Sequence, residues 1–440
     1  MSDLTASSAY ADPDTTPPLA EAIPLGLQHV LAMFASNVTP SIIVAGAAGL
    51  AFGGAEQVYL IQMAMLFAGI ATLFQTIGFG PVGARLPIMQ GTSFAFVGVL
   101  AGVAATQGMG VALTACILGG TIHFLLGTVI GKIRWLFPPL VTGLVILAIG
   151  LYLIPVAIKY AAGGAAKFQM EAESFGSLMH WTVALSVVIV ALALKFFTKG
   201  TTSNAAILIG LVVGYVVALL FGMVSFAPVA KAGWITSIQP LPYGFEFSLG
   251  AVIAVTLVSV VSVIETVGDT SATTKAGAGR EATDKEITGA TFADGLGTAV
   301  AAVFGGLPNT SFSQNVGIVG MTGIMSRHVV TIAGLVLILC GLVPKIGAVI
   351  ASMPLPVLGG GVIVMFGMVA AAGLNVLTEV RMNRRNMVII AVSLAAGLGL
   401  NLVPTAVQYL PGVIQTLATS AVAPTALVAI LLNLILPEEV

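Results

Sequence analysis

The sequence predicts an all-α polytopic membrane protein of fourteen transmembrane segments, arranged as two inverted seven-span repeats. Three observations carry that prediction. The 440-residue chain is 58% hydrophobic and 8% charged, with a mean hydropathy of +1.08, and soluble domains are not built on such a composition. Apolar runs of about twenty residues, the length that crosses a bilayer, recur from one end to the other. The two halves also echo each other. Gly91-Thr92-Ser93-Phe94-Ala95-Phe96 is matched by Asn309-Thr310-Ser311-Phe312-Ser313-Gln314, and Pro139, Gly143 and Gly150 are matched by Pro356, Gly360 and Gly367. Both matches are separated by about half the chain, which argues for two structural repeats. An odd number of spans per repeat makes the second half insert upside down relative to the first.

In chain order, residues 1–22 are polar and acidic (Asp3, Asp12, Asp14, Glu21) without Lys or Arg. They lack the basic and apolar regions of a signal peptide and read as a short disordered cytoplasmic tail. Apolar segments follow at 24–51, 57–79, 87–105, 109–131, 136–158, 179–198 and 203–225. The second half gives 246–268, 288–305, 309–325, 328–350, 355–378, 385–403 and 409–437. The third and tenth are the most polar, and are read as only partly helical with short extended segments. With the N-terminus inside, cytoplasmic loops hold Arg85, Lys132, Arg134, Lys195, Lys199, Lys275, Arg280, Lys285, Arg327, Arg381, Arg384 and Arg385. Only Lys159, Lys167, Lys231 and Lys345 fall outside. That asymmetry predicts both termini in the cytoplasm. The 52 glycines suit close helix packing. Cys116 and Cys340 lie in apolar runs and read as buried thiols rather than a disulfide.

The chemistry is concentrated in a few polar positions. Asn309–Gly323 places hydrogen-bonding and small residues inside an apolar chain, and in lipid such a run must line a cavity or a site. Its first-half counterpart is Gln90, Thr92, Ser93 and Phe94. Two broken segments would aim free N–H groups at a ligand, with Phe94 offering an aromatic face. Glu265 and Asp269 are four residues apart at the end of the eighth span and share a helix face. A carboxylate in a membrane is a functional candidate, although Asp269 could equally be solvated at a helix end. Asp294 in the ninth span reads either as a cap on a broken helix or as a partner to the site. His29 reads either as an interhelical hydrogen bonder or as a proton-handling partner of Glu265. His123 reads as structural, and His180 and His328 fall at span ends.

These residues make a constellation of one buried carboxylate, one amide (Gln314), backbone donors and an aromatic face. No metal-ligand cluster, nucleophile–base pair or phosphate loop is present, so neither catalysis nor a cofactor is motivated. The net charge of -1 gives no footprint for nucleic acid. A carboxylate beside an amide suits a planar, neutral heterocycle that presents imino N–H groups next to carbonyls.

Gln314-Asn315-Val316-Gly317-Ile318-Val319-Gly320-Met321-Thr322-Gly323 resembles the signature of the nucleobase–ascorbate transporters, the second nucleobase–cation symporter family. The resemblance extends to Gln28-His29, Ser93-Phe94, Glu265, Asp269 and Asp294. It implies a core domain (24–131 and 245–351, spans 1–4 and 8–11) and a gate domain (134–225 and 355–437, spans 5–7 and 12–14) that packs as a homodimer. It implies substrate binding by Glu265, Gln314, Phe94, Ser313 and Ser93, with the Phe94 and Ser313 N–H groups assisting. His29, Asp269, Asp294 and Asn315 would support geometry and coupling, and Thr322 with Gly323 would influence selectivity. Gln at the first motif position looks like the bacterial xanthine and urate branch; Glu there resembles uracil permeases and Pro ascorbate carriers. The implied activity is import of an oxidised purine across the inner membrane by proton symport. The rivals are an anion carrier or channel of the same fold, a sodium-coupled or uracil-type permease, and, more remotely, a membrane-embedded enzyme.

Overall fold

The computed structural model describes residues 11–136, 138–164 and 173–437. Residues 1–10 of the expected tail, and Lys167 of the expected outer loop, lie outside them. The described chain is mostly helical. Counting helices of ten residues or more, these are α1 (Leu19–Ala47), α2 (Ala55–Thr76), α3 (Val97–Gln107), α4 (Met109–Leu126) and α5 (Pro139–Ala161). They continue as α6 (Leu178–Phe197), α7 (Ala206–Leu220), α8 (Leu249–Ala278), α9 (Asp284–Val303) and α10 (Ser313–Thr322). The last four are α11 (Arg327–Leu342), α12 (Leu355–Leu377), α13 (Arg384–Leu402) and α14 (Val422–Ile435). Two three-residue strands, β1 (Gln90–Thr92) and β2 (Asn309–Ser311), precede α3 and α10.

Each predicted apolar segment overlaps one of these helices, yet only 8 are long and apolar enough to cross a membrane alone. The number rises to 9 if α11 and the short helix Pro344–Ala351, bent by 80° from it, form one span. The shortfall has physical causes. α3 and α10 are short because a strand occupies the first part of each segment. α7 and α14 have 15 and 14 residues, and α9 carries Asp284, Lys285, Glu286 and Asp294.

Two boundaries differ from expectation. α8 does not end near residue 268 but runs to Ala278, where Gly279 (φ 63°) terminates it. The stretch read as a disordered tail is ordered from Asp12 onward. The Arg327 N–H donates to the Pro13 carbonyl (3.0 Å), Ser326 Oγ donates to the Thr15 carbonyl (2.6 Å), and Arg327 Nε pairs with Asp14 (2.7 Å). α1 then begins at Leu19.

β1 and β2 pair antiparallel, Gln90 with Ser311, Gly91 with Thr310 and Thr92 with Asn309. Extended backbone inside an apolar fold must satisfy its polar groups within the protein, and these two segments satisfy one another. Around them, Asn37 Oδ1 accepts from the Thr92 N–H (2.8 Å), and Thr72 Oγ1 accepts from the Gln90 N–H (3.0 Å). Gly91 leaves no space for a side chain, since a Cβ there would meet Met33 and Phe312 at 2.6 Å.

Helices pack in a recurrent pattern: α5 on α12, α2 on α11, α4 on α9, α1 on α11 and α4 on α8. The α5–α12 crossing is close enough that a Cβ at Gly150 would collide with the Ala370 backbone, and one at Gly359 with that of Ala161. Outward-facing Leu185, Ile189 and Phe196 of α6 are exposed, as lipid-facing residues are.

Candidate functional site

α8 carries the acidic face. Ser262, Glu265, Thr266 and Asp269 stand at positions i, i+3, i+4 and i+7, so they lie along one side of the helix. That side runs beside β2 and α10. Ser262 Oγ donates to Thr310 Oγ1 (3.2 Å). The Asp269 carboxylate accepts from Ser311 Oγ (2.7 Å) and Ser313 Oγ (2.8 Å). Asp269 is therefore buried, 7% exposed, and fastens the start of α10 to α8; the reading of it as a solvated helix end does not hold.

Asp294 of α9 is completely buried. It accepts from Gln90 Nε2 of β1 (2.6 Å), from Gln75 Nε2 of α2 (3.0 Å), and from Thr266 Oγ1 of α8. One carboxylate thus ties four elements together, more than the helix cap that the sequence suggested as one reading.

His29 and Asn315 form a second junction, between α1 and α10. Asn315 Nδ2 lies 3.1 Å from His29 Nδ1 and donates to the His29 carbonyl at 3.0 Å. The described hydrogen bonds thus give His29 the interhelical role and do not link it to Glu265. Thr322 closes α10: its hydroxyl donates to the Ile318 carbonyl (2.8 Å) and accepts from the Ile324 N–H (3.3 Å), next to left-handed Gly323 (φ 67°).

Against this bonded background, Glu265 and Gln314 stand out. Both are half-buried, and neither side chain has a hydrogen bond or ion pair among the described residues. Glu265 borders a crevice lined by Val261 and Ile264 of α8 and by Thr142, Val145, Ile146 and Ile149 of α5, with a volume of about 10 Å³. That holds about one water molecule, so α5 and α8 must separate for a ring to enter there.

The two helix starts flank the ribbon at its opposite ends. Ser93 is buried; its Oγ accepts from the Ala95 N–H (3.3 Å), and its own N–H donates to the Pro308 carbonyl (2.8 Å). The N–H groups of Phe94, Ser313 and Gln314 donate to no acceptor among the described residues. Ser313 is exposed. The Phe94 ring packs edge-on against Phe366 of α12, with centroids 5.2 Å apart; in this conformation its neighbour is another side chain.

Several participants were not singled out from the sequence: Gln75, Thr266, Asn37, Tyr152 and Phe366. Gln75 and Asn37 are amides inside apolar runs, and that alone could have flagged them. Phe366 and Tyr152 carry no such signal in a chain that is 58% hydrophobic. Among the described residues, no group of three or more His, Cys, Asp or Glu could hold a metal ion.

Comparison with known proteins gives this geometry a context. A model of the Permease family (Xan_ur_permease) matches residues 20–406. The uric acid permease PucK of Bacillus subtilis is 37% identical over 411 residues, 93% of this chain and 94% of that one. The xanthine permease XanQ of Escherichia coli is 34% identical over 452 aligned positions, 99% of this chain and 96% of that one. Among solved structures, the transmembrane domain of the cyanobacterial bicarbonate transporter BicA aligns with a TM-score of 0.64 over 95% of this chain and 98% of that one, at 15% identity. That last likeness concerns the fold alone. The chain belongs to the permease family that its Gln314–Gly323 motif resembles, and it is an integral membrane transporter rather than an enzyme.

Proposed function

We propose that the protein is a secondary active transporter that imports an oxidised purine nucleobase, xanthine or urate or both, by proton symport across the bacterial inner membrane. The observation that carries this reading is the unpaired state of Glu265 and Gln314, while Asp269, Asp294 and the His29–Asn315 pair are held by neighbours. A carboxylate acceptor and an amide that both donates and accepts match the N–H and C=O edge of an oxidised purine. The unbonded N–H groups of Phe94, Ser313 and Gln314 would receive its carbonyl oxygens. The similar proteins PucK, a uric acid permease, and XanQ, a xanthine permease, support the same ligands.

Proton coupling is supported by charge. Glu265, Asp269 and Asp294 form no ion pair among the described residues, and a proton entering with the substrate would offset that negative charge.

The architecture belongs to the proposal too: fourteen spans as two inverted repeats, with a core domain at 24–131 and 245–351 and a gate domain at 134–225 and 355–437. Its support is reciprocity. If α1–α7 correspond to α8–α14, α2 on α11 mirrors α9 on α4, and α1 on α11 mirrors α8 on α4. Likewise α6 on α12 mirrors α13 on α5, and α7 on α12 mirrors α14 on α5. The strand pairs Gly91–Thr310 and Thr92–Asn309 also exchange under the repeat. In this reading the core moves against gate domains joined as a homodimer, and both termini are cytoplasmic.

The test is uptake of labelled xanthine and urate by cells lacking their own carriers, with and without a protonophore. Uptake of at least one purine, abolished by the protonophore, is expected. Uptake of neither would remove the substrate assignment, and uptake that follows sodium and ignores pH would remove the proton.

A further inference from the structure

Tyr152 lies on α5, three residues beyond Ile149, on the same face as the crevice residues Thr142, Val145, Ile146 and Ile149. It is buried, and its hydroxyl reaches the start of α3. There it accepts from the Gly98 N–H (2.9 Å) and donates to the Phe94 carbonyl (3.3 Å).

Residues 94 and 98 are the pair that an uninterrupted helix would join directly, N–H of i to carbonyl of i−4. The hydroxyl thus stands inside that bond, and the chain from Phe94 to Phe96 forms a tight 3₁₀ turn, with the Val97 N–H bonded to the Phe94 carbonyl. A side chain inserted into the ladder is a recognised cause of a local departure from straight α geometry. Gly98 makes the insertion possible, since a Cβ there would meet the Tyr152 ring at 2.8 Å. From α12, Phe366 bears on the Phe94 ring as well.

We propose that Tyr152 is a positioning residue of the transport site: its hydroxyl, inserted between Phe94 and Gly98, holds the start of α3 open and fixes Phe94 at the site. This rests on the reading of Phe94 as part of a purine site. The bridge has two discrete states. When α5 withdraws to open the crevice beside Glu265, the hydroxyl leaves with it, the Gly98 N–H bonds the Phe94 carbonyl directly, and the turn from Phe94 to Phe96 passes from 3₁₀ to α geometry, carrying Phe94 with it. Movement of α5 is thereby linked to the shape of the site.

Tyr152→Phe keeps the ring and its packing and removes only the bridge. In the full-length protein it is expected to raise the KM for purine uptake about tenfold with the maximal rate within about threefold. Gly98→Ala, which displaces the ring, gives the same KM shift, and the double variant is no worse than either single one, because both act on one bridge. A purine-independent readout is thiol labelling at position 146, introduced as I146C with Cys340 replaced by Ser and fully buried Cys116 retained. Y152F accelerates that labelling about fivefold, as loosening of α5 from the core requires.

Wild-type KM together with unchanged labelling in Y152F overturns the proposal, and so does a double variant in which the two KM shifts multiply. Should Y152F not accumulate in the membrane, wild-type KM in G98A overturns it. If the unsubstituted protein carries no purine while Y152F still labels faster, the purine reading fails and the bridge stands.

Discussion

Replacement of Glu265 by Gln is expected to lower xanthine or urate uptake by about 100-fold, the loss that follows from removing a hydrogen bond to a charged group worth about 3 kcal/mol. The substitution is nearly isosteric. Glu265 bonds to nothing in the described structure, so no internal partner is stranded and the abundance of the protein in the membrane is expected to stay normal. The same variant separates the two transporter readings. On an anion carrier of this fold, a bare carboxylate at the site repels the cargo, and E265Q would leave anion flux unchanged or raise it. Measurement of purine uptake and bicarbonate flux side by side checks this. Retained purine uptake in E265Q would remove Glu265 from the site.

Asp294→Ala is expected to damage the fold itself. The carboxylate accepts from Gln75, Gln90 and Thr266; its removal strands the buried Gln90 amide, while Gln75 and Thr266 keep their bonds to the Ala290 and Ser262 carbonyls. An unsatisfied buried donor costs about 1–3 kcal/mol and each further lost hydrogen bond about 1 kcal/mol, a sizeable part of the roughly 5–15 kcal/mol by which a folded protein is stable. Loss of the protein from the membrane, or a thermal midpoint several degrees lower in detergent, is the expected result. Asp294→Asn keeps one oxygen acceptor and the side-chain volume, so it should accumulate better than D294A. A D294A protein with wild-type stability would show that the four elements meeting at this carboxylate are held by other means.

The positions of the helices were legible because apolar runs of bilayer length leave a plain trace. Their ends were not. α8 passes residue 268 and continues through Thr270, Thr273 and Thr274, whose hydroxyls donate to carbonyls one turn back. That satisfies polar side chains within the helix, whereas hydropathy counts them as loop. The same extension puts Asp269 inside the protein rather than at a solvated end. The polar breaks at Gln90–Phe94 and Asn309–Gln314 were visible as breaks. Their strand register was not, because each three-residue segment is extended only in the company of the other.

Of the site, Glu265, Gln314 and Asp294 could be singled out, since polar groups are conspicuous in an apolar chain. What they touch could not. Asp294 gathers Gln75 from α2 and Gln90 from β1 across about 200 positions of sequence. Tyr152 and Phe366 reach Phe94 from α5 and α12, and nothing in their local sequence says so. Thr322, expected to influence selectivity, is seen bonding within its own helix end.

Glu265 and Gln314 are proposed to hold an oxidised purine together. Equilibrium binding of labelled xanthine and urate to the purified protein in detergent tests this most directly, because binding needs neither a membrane gradient nor a complete transport cycle. The expected result is saturable, one-site binding of at least one of the two purines, weakened at least about tenfold by Glu265→Gln and by Gln314→Ala separately. Binding of equal strength in all three proteins, or of neither purine by the unsubstituted one, would contradict the claim.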